Sequence, residues 1–188
     1  IPVPDLSVYD ALRAGAAGSS SNPSTVSSRS VVAPTTPTFS LPPTLLRELA
    51  HTARGLGLRL HTHLSETQNY VNFCREKYNC LPVEFVAEHE WLGPDVWFAH
   101  AVHLQPGEIR MLAQTGTGIS HCPVSNARLG SGVAPVPQMF EAGVPISLGV
   151  DGVASNESGS MVGEANTAWL IHRAEQGDDG DRGGRSQR

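Results

Sequence analysis

The sequence has little that would connect it to an oxidising compartment, a membrane or a nucleic acid. Its three cysteines, Cys74, Cys80 and Cys122, are an odd number without a C-x-x-C pair, so they indicate neither a disulfide framework nor a thiolate zinc site. No apolar run approaches the roughly 20 residues that a membrane-spanning helix needs. The 13 basic side chains form no cluster and are outnumbered by 18 acidic ones, which is not the charge pattern of a nucleic-acid-binding surface. We predict a cytoplasmic protein without nucleic-acid or membrane partners.

Both ends of the chain are also poor in large apolar side chains. The first contains AAGSSSNPSTVSS and the last reads QGDDGDRGGRSQR. Such segments bury too little apolar surface to offset the entropy cost of ordering them. We therefore predict a linker or disordered segment at 1–28, a folded unit at 29–175 and a disordered tail at 176–188. The chain begins with Ile1 rather than Met, which favours a fragment of a longer protein.

Between these ends, short apolar runs alternate with stretches of helical spacing. The alternation predicts strands at 31–33, 58–63, 95–100, 118–121 and 146–150, and helices at 42–57, 67–78, 83–89, 108–114, 136–142 and 161–173, the last of them amphipathic. Strands separated by helices favour right-handed crossovers and a parallel sheet. Five such units fit either part of a closed (β/α) barrel or a doubly wound sheet.

Titratable side chains stand where four of the predicted strands end. The second strand ends at His61-Thr-His63-Leu-Ser-Glu66, the third at His100, the fourth at His121 and the fifth at Asp151. Active sites of parallel α/β sheets lie at the carboxyl ends of the strands, where the loops converge. We therefore predict that these residues share a metal or acid/base site.

Histidine and aspartate together favour a particular chemistry. Both bind zinc, and a catalytic zinc lowers the pKa of its bound water to about 7. A nearby carboxylic acid can protonate a ring nitrogen while hydroxide attacks the adjacent carbon, so that an amine leaves as ammonia. The pattern thus fits metal-assisted hydrolysis, of which the deamination of a ring is one form, with iron or manganese as alternatives to zinc.

The other polar candidates have plainer interpretations. His61 is expected to pack against or orient its neighbour His63, and Cys122 to be a buried, inert thiol. His121 could instead cap its strand by bonding a backbone carbonyl. The Ser125-Asn126-Ala-Arg128 stretch is expected to be a polar loop, in which Arg128 could hold a polar edge of a substrate. The histidines in predicted loops or helices are expected to be solvated: His51, His89, His103 and His172.

Four strings resemble a known family in their order and approximate spacing. LHTHLSET, WFAHAVHL, GTGISHCPVSNARLGSGVAPV and SLGVDGVASNES are similar to the later barrel strands of the amidohydrolase superfamily, in its nucleobase and pterin deaminase branch. The resemblance covers residues 29–173. It implies an α/β fold, a partial (β/α)8 TIM-type barrel of about the last five βα units, without the first strands and the accessory β-sandwich. It also implies a small purine-like or pterin-like substrate.

The resemblance assigns roles to individual residues. His63 and Asp151 would be metal ligands, and Asp151 would also accept the proton of the attacking water. Glu66 would carry a proton to the ring, and His100 would polarise the attacked group or stabilise the tetrahedral intermediate. The loop that contains Ser125, Asn126 and Arg128 would lie over the substrate. Two alternatives remain open: a triazine-type chlorohydrolase or aminohydrolase of the same superfamily, and a truncated, non-catalytic remnant.

One departure from the family pattern affects the metal. Two further ligands are expected from an H-x-H pair that ends the first barrel strand, and the 60 residues before His61 contain no such pair. We therefore expect these residues alone to bind zinc weakly or not at all and not to turn over substrate. Unpaired strand edges would also favour aggregation or a homo-oligomer.

Overall fold

The structure, a computed structural model, describes residues 31–177 as a parallel sheet with helices between successive strands. The strands are β1 (Val31–Val32), β2 (Arg59–Leu64), β3 (Val96–His100), β4 (Gly118–His121) and β5 (Ile146–Leu148). The helices are α1 (Pro37–Ser40), α2 (Pro43–Gly55), α3 (Gln68–Tyr78), α4 (Pro82–Glu88), α5 (Pro106–Thr115), α6 (Pro123–Leu129), α7 (Val136–Glu141), α8 (Val153–Asn156) and α9 (Met161–Gln176). None of these nine helices has both the length and the apolar character that crossing a bilayer requires.

The strands lie side by side in chain order. The sheet runs β1-β2-β3-β4-β5, and every neighbouring pair is parallel. A doubly wound sheet reverses its strand order at a switch point, whereas a (β/α) barrel adds each strand next to the previous one. The sequential order therefore confirms the predicted parallel α/β fold and favours the barrel. Within residues 31–177 the sheet does not close, because β1 and β5 each pair on one side only.

Alternation along β2 separates a core face from a polar face. Leu60, Thr62 and Leu64 are buried, while His61 and His63 on the opposite face are half-buried. This follows from the period of two in a strand, since successive side chains point to opposite faces. The leucines join the apolar core between the sheet and its covering helices. His61 and His63 therefore lie on the other face of the sheet, outside this core.

Helix α2 shows how the helices cover the sheet. It begins at Pro43, whose missing N–H is not needed in the first turn. Leu46, Ala50 and Ala53 recur at helical spacing and are fully buried on one stripe. The indole of Trp91 packs beneath this helix, and its Nε1–H donates to the Leu46 carbonyl at 2.7 Å.

Close packing of β4 against the end of β5 requires a glycine. A Cβ on Gly149 would lie 2.5 Å from the Ser120 Oγ and 3.2 Å from the Cys122 Sγ, too near for any other residue without a shift. Asp151 follows two residues later. The close contact of Gly149 with β4 therefore holds the chain against the sheet two residues before Asp151.

Two sequence predictions about elements were wrong. The Ser125-to-Arg128 stretch is not a loop but lies in helix α6, which begins at Pro123, ends at Leu129 and is capped by Gly130 in the left-handed region. Helix α9 does not bury an apolar stripe: its one buried residue is Glu164, and four apolar side chains are exposed, namely Met161, Val162, Trp169 and Leu170.

The predicted boundaries can be compared only in part. The predicted linker at 1–28 lies outside the described residues, as does the predicted tail beyond Gly177. Gln176, which we assigned to the tail, is the last residue of α9. The five predicted strands are all present, although β5 is two residues shorter than expected.

Candidate functional site

Three metal-binding side chains converge at the carboxyl edge of the sheet. His63 lies near the end of β2, His100 ends β3, and Asp151 follows β5. Each offers one ligand atom, and these atoms all lie within 4.8 Å of one another. The fold brings these three residues together from positions up to 88 residues apart, at the strand ends where the sequence places them; that they share a metal or acid/base site stays a prediction.

Hydrogen bonds orient both imidazoles in the same way. His63 Nδ1 donates to the Thr35 carbonyl at 2.7 Å, and His100 Nδ1 donates to Asn126 Oδ1 at 2.9 Å. Because both partners are acceptors, the ring proton is on Nδ1 and the lone pair is on Nε2. A metal-ligating histidine typically donates its other ring N–H to such a partner. Both rings are therefore prepared to bind through Nε2.

The carboxyl group of Asp151 is held by two hydroxyls. Its Oδ2 accepts hydrogen bonds from Ser125 Oγ at 2.5 Å and from Ser155 Oγ at 3.1 Å. Burial tends to raise the pKa of Asp151, but the hydrogen bonds from Ser125, from the Gly152 backbone and from Ser155, together with nearby His100, outweigh it and lower the pKa. The carboxylate is thus charged at neutral pH, as a metal ligand must be.

The backbone is strained where these ligands project. His100 has φ 71° and Asp151 has φ 58°, in the left-handed region that non-glycine residues rarely adopt. Ser65, which follows β2, and Ala101, which follows β3, share this conformation, with φ 50° and 49°. Each such residue costs on the order of 1–3 kcal/mol, and strain of this kind clusters at functional sites. It turns the ligand side chains towards one point.

Glu66 is a second carboxyl group beside His100. Its Oε2 lies 3.7 Å from His100 Nε2, and its side chain is 25% exposed, at the mouth of the site. A group in this position contacts one of the metal-binding nitrogens and is also open to solvent. The placement suits the proton-carrying role that the sequence predicts for it.

His61 does not join the cluster. Its ring stacks on Trp97 with centroids 4.8 Å apart, and Nδ1 donates to the Trp97 carbonyl at 3.1 Å. Burial lowers the pKa of His61, and the hydrogen bond to Trp97 opposes that effect in part. His61 therefore packs, as predicted, but mainly against Trp97, and its ring makes only an edge contact with His63 at 6.1 Å.

The predictions for the remaining histidines were mixed. His51 is exposed beside Glu90, as expected. His89 and His103 are half-buried and donate to backbone carbonyls, so the prediction that they are solvated was wrong. It was also wrong for His172, whose side chain is 13% exposed.

His121 pairs with His172 rather than with a backbone carbonyl. Their Nε2 atoms are 3.2 Å apart, so one nitrogen donates and the other accepts. Burial, and then the nearby His172 and His100, lower the pKa of His121 to about 4. The ring is therefore neutral in the folded protein. No sequence signal links two residues 51 positions apart.

Helix α6 presents its polar side chains to the ligands. Ser125 and Asn126 are buried and bond Asp151 and His100, respectively. Arg128 is exposed and pairs with Glu157. The substrate-binding role of these three residues stays a prediction. The neighbouring Cys122 is buried, and burial, then Asp151 and Glu164, raise its pKa to about 12, in agreement with the predicted inert thiol.

The donor set fits a divalent transition metal. Two imidazole nitrogens and one carboxylate oxygen match the three protein ligands typical of catalytic zinc, which leaves the fourth position for water. The sequence predicts His63 and Asp151 as ligands, and His100 adds an imidazole nitrogen as the third donor. The fit rests on the two oriented rings and the charged carboxylate.

Comparisons with known proteins agree with this geometry. Residues 3–186 match the sequence family described as the Amidohydrolase family. The chain is 54% identical over 149 residues to isoxanthopterin deaminase from an unknown prokaryotic organism, covering 79% of this chain and 31% of that protein. It is 44% identical over 146 residues to 8-oxoguanine deaminase from Pseudomonas aeruginosa, covering 78% and 32%.

A solved structure is similar over the same part of the chain. The crystal structure of an adenosine deaminase from Xanthomonas campestris with bound zinc superposes with a TM-score of 0.75 at 27% identity, covering 78% of this chain and 33% of that one. The chain spans about a third of the length of these relatives. It belongs to the amidohydrolase family, and the predicted partial barrel is confirmed by the strand order together with this similarity.

Proposed function

We propose that residues 31–177 supply the acid and part of the metal-binding edge of a site that hydrolytically deaminates a purine-like or pterin-like ring. The convergence of His63, His100 and Asp151, with Glu66 beside them, is the observation that carries the proposal. Relatives named isoxanthopterin deaminase and 8-oxoguanine deaminase, and a similar structure of an adenosine deaminase, support the substrate class.

Zinc is the metal that the proposal assigns to this site. The zinc bound in the similar adenosine deaminase structure supports it, as do the mixed nitrogen and oxygen donors; iron and manganese are the alternatives. His63 and Asp151 would hold the metal, with His100 in reach as a further ligand. When bound, the metal supplies a hydroxide nucleophile at neutral pH.

The chain's own residues would carry the proton and hold the ring. Asp151 accepts a proton from the attacking water, and Glu66 donates one to a ring nitrogen. A carbon–oxygen bond forms at the ring carbon, and the bond from that carbon to the amino group breaks. The proton held by Asp151 passes to the leaving amine, which departs as ammonia, and the second proton of the water restores Glu66. His100 Nε2 is 3.7 Å from Glu66 Oε2, so the proposed acid lies directly beside the proposed metal-binding nitrogen.

A graft into a longer relative tests the proposal in a complete site. The matching 149-residue segment of isoxanthopterin deaminase is replaced by that of this chain, and ammonia release from isoxanthopterin and 8-oxoguanine is measured. We expect zinc-dependent deamination of at least one ring. Glu66→Gln should lower kcat by roughly 10²–10⁴-fold because the proton carrier is lost. Glu76→Gln, on the exposed side of α3, is the matched control.

The same graft separates the alternatives. Activity unchanged by Glu66→Gln would contradict the proposed acid. Release of chloride or alkylamine from triazines, without ammonia from either fused ring, would favour the triazine-type hydrolase. A folded graft that neither holds zinc nor acts on any of these rings would identify a non-catalytic remnant.

Arg128 is the residue that the proposal assigns to the polar edge of the substrate. It lies one helical turn beyond the buried Ser125 and is tethered by Glu157. In the graft, Arg128→Ala should raise KM for a keto-bearing ring and should leave the amount of bound metal nearly unchanged. The control is Arg110→Ala, an exposed arginine on α5. Unchanged KM on the preferred ring would count against the role.

A further inference from the structure

Glu164 is a buried carboxyl group with no part in the proposed chemistry. It is 0% exposed and is the one buried residue of the 16-residue helix α9. Both of its oxygens accept hydrogen bonds from other elements: Oε2 from the Val124 backbone N–H at 3.2 Å, and Oε1 from the Asn156 side-chain amide. A buried carboxyl group is costly unless its oxygens are satisfied in this way.

The hydrogen bond from Val124 connects Glu164 to helix α6, whose side chains orient both the carboxylate ligand and one imidazole ligand. Val124 is in the first turn of α6, where backbone N–H groups lack helical partners. The next two residues, Ser125 and Asn126, bond Asp151 and His100. A displacement of Val124 would therefore move both contacts together.

The hydrogen bond from Asn156 connects Glu164 to the backbone just before Asp151. The amide nitrogen of Asn156 donates to Glu164 and also to the Val150 carbonyl at 2.7 Å. The amide oxygen of Asn156 accepts from the N–H groups of Ser158 and Gly159 and from the Ser158 hydroxyl. All the polar atoms of this side chain are thus used, and they hold the residue before Asp151 in place.

Glu108 is a useful contrast because it is equally buried. It is 1% exposed, and it accepts from the Gln105 and Val83 backbone N–H groups at 2.8 and 3.0 Å. One of its bonds closes the N-terminus of its own helix, an ordinary capping role. Glu164 instead directs both oxygens to α6 and α8, and the cap of α9 is made by Ser160.

We infer that Glu164 is a positioning residue that joins helix α6 to the turn after β5 and so sets the geometry of Asp151 and His100 for metal binding. It touches neither ligand. It acts through Val124 on the partners of both, and through Asn156 on the backbone of Asp151. The inference deepens the proposed function, because it matters for catalysis only if that site holds a metal.

Replacement by the isosteric amide tests the inference in the full chain. In Glu164→Gln, whichever way the amide turns, its NH2 group faces either the Val124 N–H or the Asn156 NH2, so one contact becomes donor against donor. We expect the Asp151 carboxyl ¹³C and His100 ring ¹⁵N signals to shift at fixed pH, without added metal. Cobalt, as a probe of the site, should bind about 10–100-fold more weakly, as when residues behind metal ligands are changed.

Glu108→Gln is the matched control. It disturbs an equally buried carboxyl group remote from the site, so it should lower the unfolding midpoint while leaving the Asp151 and His100 signals and cobalt affinity as in the parent chain. If Glu164→Gln does not fold, Asn156→Asp replaces it, because an oxygen at that position repels both Glu164 and the Val150 carbonyl.

The outcomes separate this inference from the proposed function. Unmoved Asp151 and His100 signals in a folded Glu164→Gln or Asn156→Asp variant would overturn the positioning role, as would equal shifts in Glu108→Gln. Shifted signals in a chain that shows no cobalt binding would support positioning and contradict the metal site.

Discussion

At the scale of single residues, the charge of Asp151 depends on its hydroxyl partners. Ser125 provides the strongest hydrogen bond, at 2.5 Å, and Ser155 a weaker one at 3.1 Å. Both stabilise the ionised form against the opposing effect of burial. The aspartate is thus kept ready to bind a cation by Ser125, which the sequence alone suggested for substrate binding, and by Ser155, which it did not single out.

Removal of the Ser125 hydroxyl should therefore raise the pKa of Asp151. The variant Ser125→Ala leaves burial unchanged but takes away the largest of the favourable hydrogen bonds. Carboxyl ¹³C shifts followed over pH measure the effect directly. Ser155→Ala is the matched control and should raise the pKa less. An equal or larger rise of the Asp151 pKa in Ser155→Ala would contradict the stronger effect assigned to Ser125.

The neutral His121 should make stability depend on pH. Its folded pKa is about 4, below the ordinary 6.5, so the unfolded chain takes up a proton first as the pH falls. The contribution is fully present above pH 6.5 and is lost between about 6.5 and 4. At about 1.4 kcal/mol per pKa unit this contribution reaches at most about 3.5 kcal/mol.

Urea unfolding at several pH values measures this dependence. The free energy of unfolding of the parent chain should fall between pH 6.5 and 4.5. In His121→Gln, which cannot be protonated, the fall should be smaller. The same fall in both chains would show that other groups cause it.

The sequence predicted the residues whose placement is local. His63, His100 and Asp151 are found by position alone, because a strand end in a parallel sheet determines which edge a side chain occupies. Glu164 and His172 could not be found in this way. Glu164 bonds Val124, 40 residues away, and His172 bonds His121, 51 residues away. Both contacts arise from the packing of α9 against α6 and β4.

At the scale of elements, α9 shows where a helical pattern misleads. Its apolar residues suggest a buried stripe, yet Val162 and Trp169 are 80% and 61% exposed, and the helix docks through a carboxyl group. Helix α6 was missed for the opposite reason, since PVSNARL has no apolar period. Its proline starts the helix, and the partners of its polar residues lie across the fold.

The exposed apolar residues of α9 should promote self-association. Sedimentation velocity over a range of protein concentrations should show a rising sedimentation coefficient. Trp169→Glu should weaken the effect, because burying the added charge in a contact is costly. Gln114→Glu adds the same charge on the exposed side of α5 and should not. Equal behaviour of the two variants would exclude this surface.

At the scale of the whole molecule, the parallel strand order and its carboxyl edge follow from the sequence, but the number of metal donors does not. Two ligands were predicted, and the structure brings a third side chain within reach because His100 and Asp151 both adopt left-handed backbone conformations. Three converging donors do not make up for the absent H-x-H pair. We therefore expect zinc to bind, but weakly.

Calorimetric titration of zinc into the metal-free chain tests the central claim most directly. We predict one equivalent, bound more weakly than the roughly 10–16 kcal/mol of complete structural zinc sites. His63→Ala and Asp151→Ala should each weaken binding at least about tenfold, whereas His51→Ala, which removes an exposed imidazole beside Glu90, should not. Zinc binding that is absent from the parent chain, or that is unchanged in both site variants, would contradict the account.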